Sequence, residues 1–164
     1  GEKKRIEITI QPNSTPGKIL YSVLFIIGLG LCGYGIQMLN DANKSKKWPQ
    51  SEGVVTSSEI IKSSDSDGTS YRAKITYNYQ VDDKTYSSNK ISFGEYSSPN
   101  KNKAQDIIDK FPVGNVTVFY DPEDPARSVL EPGVAFGIYI WLFIGGGLVL
   151  IPALTFLYYR VIHK

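Results

Sequence analysis

Two stretches of this chain carry no charge over lengths that match a lipid bilayer. From Ile19 to Asn40, and again from Pro132 to Tyr159, no residue is acidic or basic. The first contains "ILYSVLFIIGLGLCGYGIQML", 21 residues, and the second "VAFGIYIWLFIGGGLVLIPALTFLYY", 26 residues. A helix rises about 1.5 Å per residue and a hydrocarbon core is about 30 Å thick, so both runs are long enough to span. The second exceeds the need and is expected to tilt or to begin among the headgroups. The first is too long for the apolar core of a cleaved signal peptide, about 7–15 residues, and no small-x-small site follows it; a retained signal anchor is expected. The chain thus divides into a tail (1–18), a first transmembrane helix (19–39), a soluble domain (40–132), a second transmembrane helix (133–159) and a short tail (160–164).

Charge places these parts. Within 40–132 there are 12 Lys or Arg and 14 Asp or Glu, so the domain is close to neutral. A nucleic-acid partner is not expected, because its footprint would be a clustered basic face. Lys3, Lys4, Arg5, Lys18, Arg160 and Lys164 lie outside the spans, against Lys44, Lys46, Lys47 and Arg127 near the ends of the domain. The positive-inside rule then predicts both termini in the cytoplasm and the domain outside it, in a multi-pass protein of the cell membrane.

Inside the domain, "SYRAKITYNYQ" alternates strictly. Tyr71, Ala73, Ile75, Tyr77 and Tyr79 share one face and Arg72, Lys74, Thr76, Asn78 and Gln80 the other, the pattern of a half-buried strand. "TYSSNKISF" is its expected hairpin partner across Asp82-Asp83, with a bulge or bend where Tyr86 and Ile91/Phe93 change parity. "EGVVTSSEIIKS" is an earlier strand, and "SSDSDGTS" a polar loop between the two. "NVTVFYD" and "ARSVLEP" supply two more strands. Ala104, Ile107, Ile108 and Phe111 recur at i, i+3, i+4 and i+7, one apolar helical stripe. Its predicted start is Ser98 as N-cap with Pro99 at the first helical position; its stop is Pro112 and Gly114. The expected domain is a small, mainly β unit of about five strands, a barrel or sandwich, with one short helix.

In order, "WPQSEGVVTSSEI", "YRAKITYNYQVDDKTY" and "FPVGNVTVFYDPEDPARSVLEPG", together with the flanking spans, resemble the bacterial and archaeal family known as domain of unknown function 3592. The resemblance covers about Trp48 to Gly133. It implies a membrane-attached β-domain and brings no established activity and no catalytic residues. Where the family usually has Asp-Gly at the hairpin turn, this chain has Asp82-Asp83, and Asp is less at ease than Gly at positive φ.

The sequence argues against chemistry. The only histidine, His163, lies beyond the second span, and the only cysteine, Cys32, lies within the first. Neither a Ser-His or Cys-His pair nor a Cys/His zinc site can form in the domain. Asp65/Asp67 and Asp121/Asp124 are the acidic pairs that remain. In "DPEDP", Asp121, Glu123 and Asp124 are weak candidates for a hard-cation site, against a proline-fixed turn. A non-enzyme without cofactor is the expectation. Gly28, Gly30, Gly33, Gly35, Gly145, Gly146 and Gly147 give the two spans small surfaces for helix packing, within the chain or with another membrane protein or a second copy. Tyr71, Tyr77, Tyr79 and Tyr86 could form an interaction face, or else pack across strands. "RIEITIQP" near the N-terminus either joins a partner's sheet or is a tail. The function expected is a two-span membrane protein presenting its β-domain to other proteins, as an accessory or assembly subunit, a protective role included. The alternative is an envelope module that senses a ligand or cation.

Overall fold

The computed structural model describes residues 14–66 and 68–162. The alternating stretch around Ile6, Ile8 and Ile10, together with Asp67 and His163, lies outside these residues. The chain order is α1 (Thr15–Ser45), β1 (Gln50–Asp65), β2 (Gly68–Val81), β3 (Lys84–Ser88), α2 (Lys101–Lys110), β4 (Gly114–Tyr120), β5 (Ser128–Val129) and α3 (Gly137–Ile162). Two units emerge. Residues Gln37–Ile138 form one, and the greater parts of α1 and α3 form the other.

In the helical unit, α1 and α3 are each long and apolar enough to cross a membrane. Helix α1 begins where Ser14 caps it: the Gly17 N–H donates to Ser14 Oγ at 3.2 Å. Pro16 sits in the first turn, where a missing N–H costs nothing. At its other end α1 runs beyond the uncharged stretch to Ser45, because Ala42 and Ser45 are fully buried in the second unit. The α1 and α3 backbones meet at Gly28 and Gly145.

The second unit is built on five antiparallel strands in the order β3-β2-β1-β4-β5. The five strands and the short helix are as the sequence predicts, but the sheet is open, neither a closed barrel nor a sandwich. Closure would need β3 and β5 to pair; they are five and two residues long and lie at opposite edges.

One sheet face is covered. Val55, Ala73, Ile75, Tyr77, Tyr79 and Val118 come from the strands, and Ile91, Phe111 and Leu130 from the segments that cross over them. Burial of such side chains contributes about 1.5–3 kcal/mol each. Helix α2 lies on this face through buried Ala104, with Ile107 and Ile108 half-buried against the core, so the predicted stripe is the packing face. A β-bulge between Val55 and Ser57 lets Val55, opposite Tyr77, and Ile60, opposite Ala73, share one side of β1.

Three local expectations are corrected. The N-cap of α2 is Asn100, whose side chain accepts from the Asn102 N–H; Ser98 is instead bridged to Tyr71 by two backbone hydrogen bonds. The partner strand β3 stops at Ser88, and the bend falls at Asn89 and Lys90 before Ile91 and Phe93 re-enter the core. Most of "SSDSDGTS" is strand, since β1 and β2 remain paired out to Asp65 and Gly68. That ribbon has no buried face at its tip to impose period-two hydrophobicity; the Ser64–Thr69 hydroxyl pair at 3.1 Å links its strands there. At the β2–β3 turn Asp82 adopts φ 52, the left-handed region that short polar side chains tolerate as single residues.

Candidate functional site

The acidic turn joins β4 to β5, and its carboxylates are engaged locally. Asp121 Oδ1 accepts from the Glu123 N–H at 3.1 Å, and Asp124 Oδ1 accepts from the Ala126 N–H at 3.3 Å. The Asp121 N–H donates to the Arg127 carbonyl at 2.8 Å, and the Arg127 N–H to the Asp124 carbonyl at 2.9 Å. These are turn-forming bonds of the kind Asx side chains make after Pro-rich breaks. The Arg127 guanidinium then spans two carboxylates, Nη1 at 3.3 Å from Asp121 Oδ2 and Nη2 at 2.9 Å from Asp41 Oδ2. No group of three or more His, Cys, Asp or Glu side chains is arranged to hold a metal among the described residues. The Glu123 side chain is exposed, and the residue joins this network through its backbone N–H.

Sequence reasoning did not find the other half of this junction. Asp41 lies in the last turns of α1, and a second link sits beside it. Ser45 Oγ donates to the Ala42 carbonyl at 2.7 Å and accepts from the Gly133 N–H at 2.9 Å, all of it buried. Trp48 meets Phe93 edge-on, with ring centroids 5.8 Å apart. The segment entering the domain is thus fastened to the part leaving it by the Asp41–Arg127 bridge and the buried Ser45 hydroxyl, while Trp48 packs on the loop after β3. Asp41 and Ser45 bear no local signal, because each is an ordinary helix-end residue until Arg127 and Gly133 are folded against it.

The tyrosine row is core rather than a surface. Tyr77 is fully buried and Tyr79 nearly so. Tyr77 Oη donates to the Lys90 carbonyl at 2.8 Å and is 3.0 Å from Ser128 Oγ. Tyr79 Oη donates to the Pro125 carbonyl. Burial pushes the Tyr77 phenol up to about 12 despite its hydrogen bond with Ser128, and raises that of Tyr79 as well. Tyr86 stacks on Tyr79 at 5.7 Å. Of the four tyrosines read as a possible interaction face, Tyr77 and Tyr79 are taken up by the core, while Tyr71 and Tyr86 keep half-buried edges.

The glycines divide into two sets. A Cβ on Gly28 would meet the Gly145 carbonyl and the Leu148 and Val149 side chains at 2.9 Å; one on Gly35 would meet Leu142 at 2.7 Å. Gly145 faces Cys32 in the same way. Gly30, Gly33, Gly146 and Gly147 have nothing within 4 Å of that position.

Among the described residues, parts of the β unit remain uncovered. The outer sheet face carries Glu52, Thr56, Asn78, Gln80, Asn115 and Thr117 around Val54, which is 47% exposed. Beyond Val55, β4 no longer pairs with β1, and β3 pairs with β2 only from Tyr77 onward. The β1–β2 ribbon therefore extends past the rest of the sheet, crossed by the Glu59–Lys74 ion pair at 3.3 Å. Beneath α2, Tyr71, Ile91, Tyr96, Lys103 and Ile107 line a cleft of about 210 Å³.

The sequence model of the family described as "Domain of unknown function (DUF3592)" matches residues 51–135, from the start of β1 to the segment before α3. No curated protein matches the chain.

Proposed function

The chain belongs to the DUF3592 family, whose description assigns no activity, and from its geometry we propose a non-catalytic membrane protein that presents the β unit to another protein. In this reading α1 and α3 both span the bilayer, the termini are cytoplasmic and the β unit is extracytoplasmic. Charge distribution supports the orientation, with Lys18 and Arg160 beyond one end of the uncharged stretches.

The observation that carries the proposal is the β1–β2 ribbon. Between Ser57 and Ser64 no strand pairs with the outer edge of β1 among the described residues. A free strand edge offers main-chain donors and acceptors that an extended segment of a partner can complete. The Asp121 and Asp124 carboxylates accept from backbone N–H groups of the turn, and Asp121 also from Arg127, which speaks against the cation-sensing alternative. The cleft beneath α2, at about 210 Å³, is smaller than the usual 300–1,000 Å³ of small-molecule sites.

The test is site-specific photocrosslinking at Glu59 and Lys62 in membranes of the native host, followed by mild-detergent purification. A discrete adduct with one larger membrane protein is expected, lost when Ile60→Pro removes a ladder donor. A monodisperse monomer with no adduct from any ribbon position would reject the proposal.

A further inference from the structure

In the helical unit, α1 and α3 diverge from their contact at Gly28 and Gly145 to leave a groove of about 530 Å³. Its α1 wall runs in order through Lys18, Tyr21, Ser22 and Phe25; Pro152 and Phe156 contribute from α3. The order is physical as well as sequential. One cation is followed by two hydroxyls and then by hydrocarbon, over about 10 Å of helix at 1.5 Å per residue. A glycerophospholipid has the same order, from phosphate through ester oxygens to acyl chain.

Charge decides which lipid. Lys18 pairs with no carboxylate among the described residues, and neither α3 nor α1 as far as Ile36 contains an acidic residue. The pairing of Gly28 with Gly145 and of Gly35 with Leu142 is antiparallel, so Arg160, in the last turn of α3, falls at the level of Lys18. Lys18 at the polar end of the apolar groove, with Arg160 at its level and neither in an ion pair among the described residues, selects an anionic headgroup. We propose that this groove binds one anionic phospholipid, its phosphate at Lys18 and an acyl chain between Phe25 and Phe156. The inference rests on the reading of α1 and α3 as membrane spans.

The experiment uses the full chain in nanodiscs of phosphatidylcholine, alone or mixed with phosphatidylglycerol, with lipid retention read by native mass spectrometry. One phosphatidylglycerol is expected to be retained over phosphatidylcholine, and Lys18→Gln should lower that preference by about fivefold, the equivalent of about 1 kcal/mol. Ala153→Phe fills the groove from α3 and should abolish retention while leaving both cations in place. Ser22→Phe fills it from α1, so misfolding of one filler variant leaves the test intact. Equal retention of the two lipids, an unchanged preference in Lys18→Gln, or undiminished retention in the filled variants would each overturn the site. Incorporation into phosphatidylcholine alone reports membrane embedding separately, so failure of the groove is distinguishable from failure of the spans.

Discussion

Arg127 Nη2 lies 2.9 Å from Asp41 Oδ2, although 86 positions separate the two residues in the chain. The contact ties the last turns of α1 to the turn that follows β4, and Nη1 of the same guanidinium holds Asp121. Arg127 is 45% exposed, so solvent screens the bridge and its strength should be that of a surface network rather than of a buried pair.

A double-mutant cycle of Asp41→Asn and Arg127→Gln should therefore return a coupling of about 0.5–1 kcal/mol, weakening at high salt. Thermal denaturation in detergent measures it. A coupling indistinguishable from zero at low salt would show that the bridge does not act in solution.

Ser45→Ala leaves the buried Gly133 N–H without its acceptor, and an unsatisfied buried donor costs about 1–3 kcal/mol. Ser45→Cys has nearly the same volume but a poorer acceptor, and should fall between the two. Unaltered stability in Ser45→Ala would mean that Gly133 finds another partner.

Alkaline pH should loosen the core at Tyr77. Its phenol is pushed up to about 12 in the folded state, against an ordinary value near 10. Below pH 10 the phenol is neutral both folded and unfolded, and stability is unaffected. Between pH 10 and 12 the unfolded chain releases the proton first, so the folded state loses stability as pH rises. Tyr77→Phe should flatten this slope in a pH series of melts while lowering stability at neutral pH through loss of the Lys90 and Ser128 contacts. An equal alkaline slope in the variant would assign the effect to other groups.

The two sets of glycines should behave oppositely. Gly28→Val would place atoms where the Gly145 carbonyl and Val149 already stand, and should separate α1 from α3. Gly30→Val meets nothing within 4 Å and should leave the pair intact. Crosslinking between cysteines introduced on the two helices in bilayers distinguishes them. Equal efficiency in both variants would place the helix contact elsewhere.

Calcium should not stabilise the protein, because Asp121 and Asp124 are used as turn formers. Asp124→Asn retains a side-chain acceptor for the Ala126 N–H and should change the melting temperature little. A calcium-dependent rise in melting temperature that disappears in Asp121→Asn/Asp124→Asn would restore the cation-sensing reading.

What the sequence determined by itself was whatever repeats over short distances. Two uncharged runs require two long apolar helices, because length and lack of charge suffice for that. Alternation from Tyr71 to Tyr79 requires a strand with one buried face, and the four-residue stripe at Ala104 requires a helix packed on it. Tertiary structure alone decided the rest. Whether the sheet closes depends on how far its edge strands reach, and β3 and β5 are too short to meet. The tip of the ribbon, Ser63 to Ser70, reads as a loop because periodicity is written only where a face is buried. Whether Tyr77 faces a partner or packs across strands is decided only when Lys90 and Ser128 meet its hydroxyl. The Asp41–Arg127 and Ser45–Gly133 links carry no local pattern at all. Each joins groups more than 80 residues apart, and only folding of the intervening chain brings their charges and hydrogen-bonding atoms within reach.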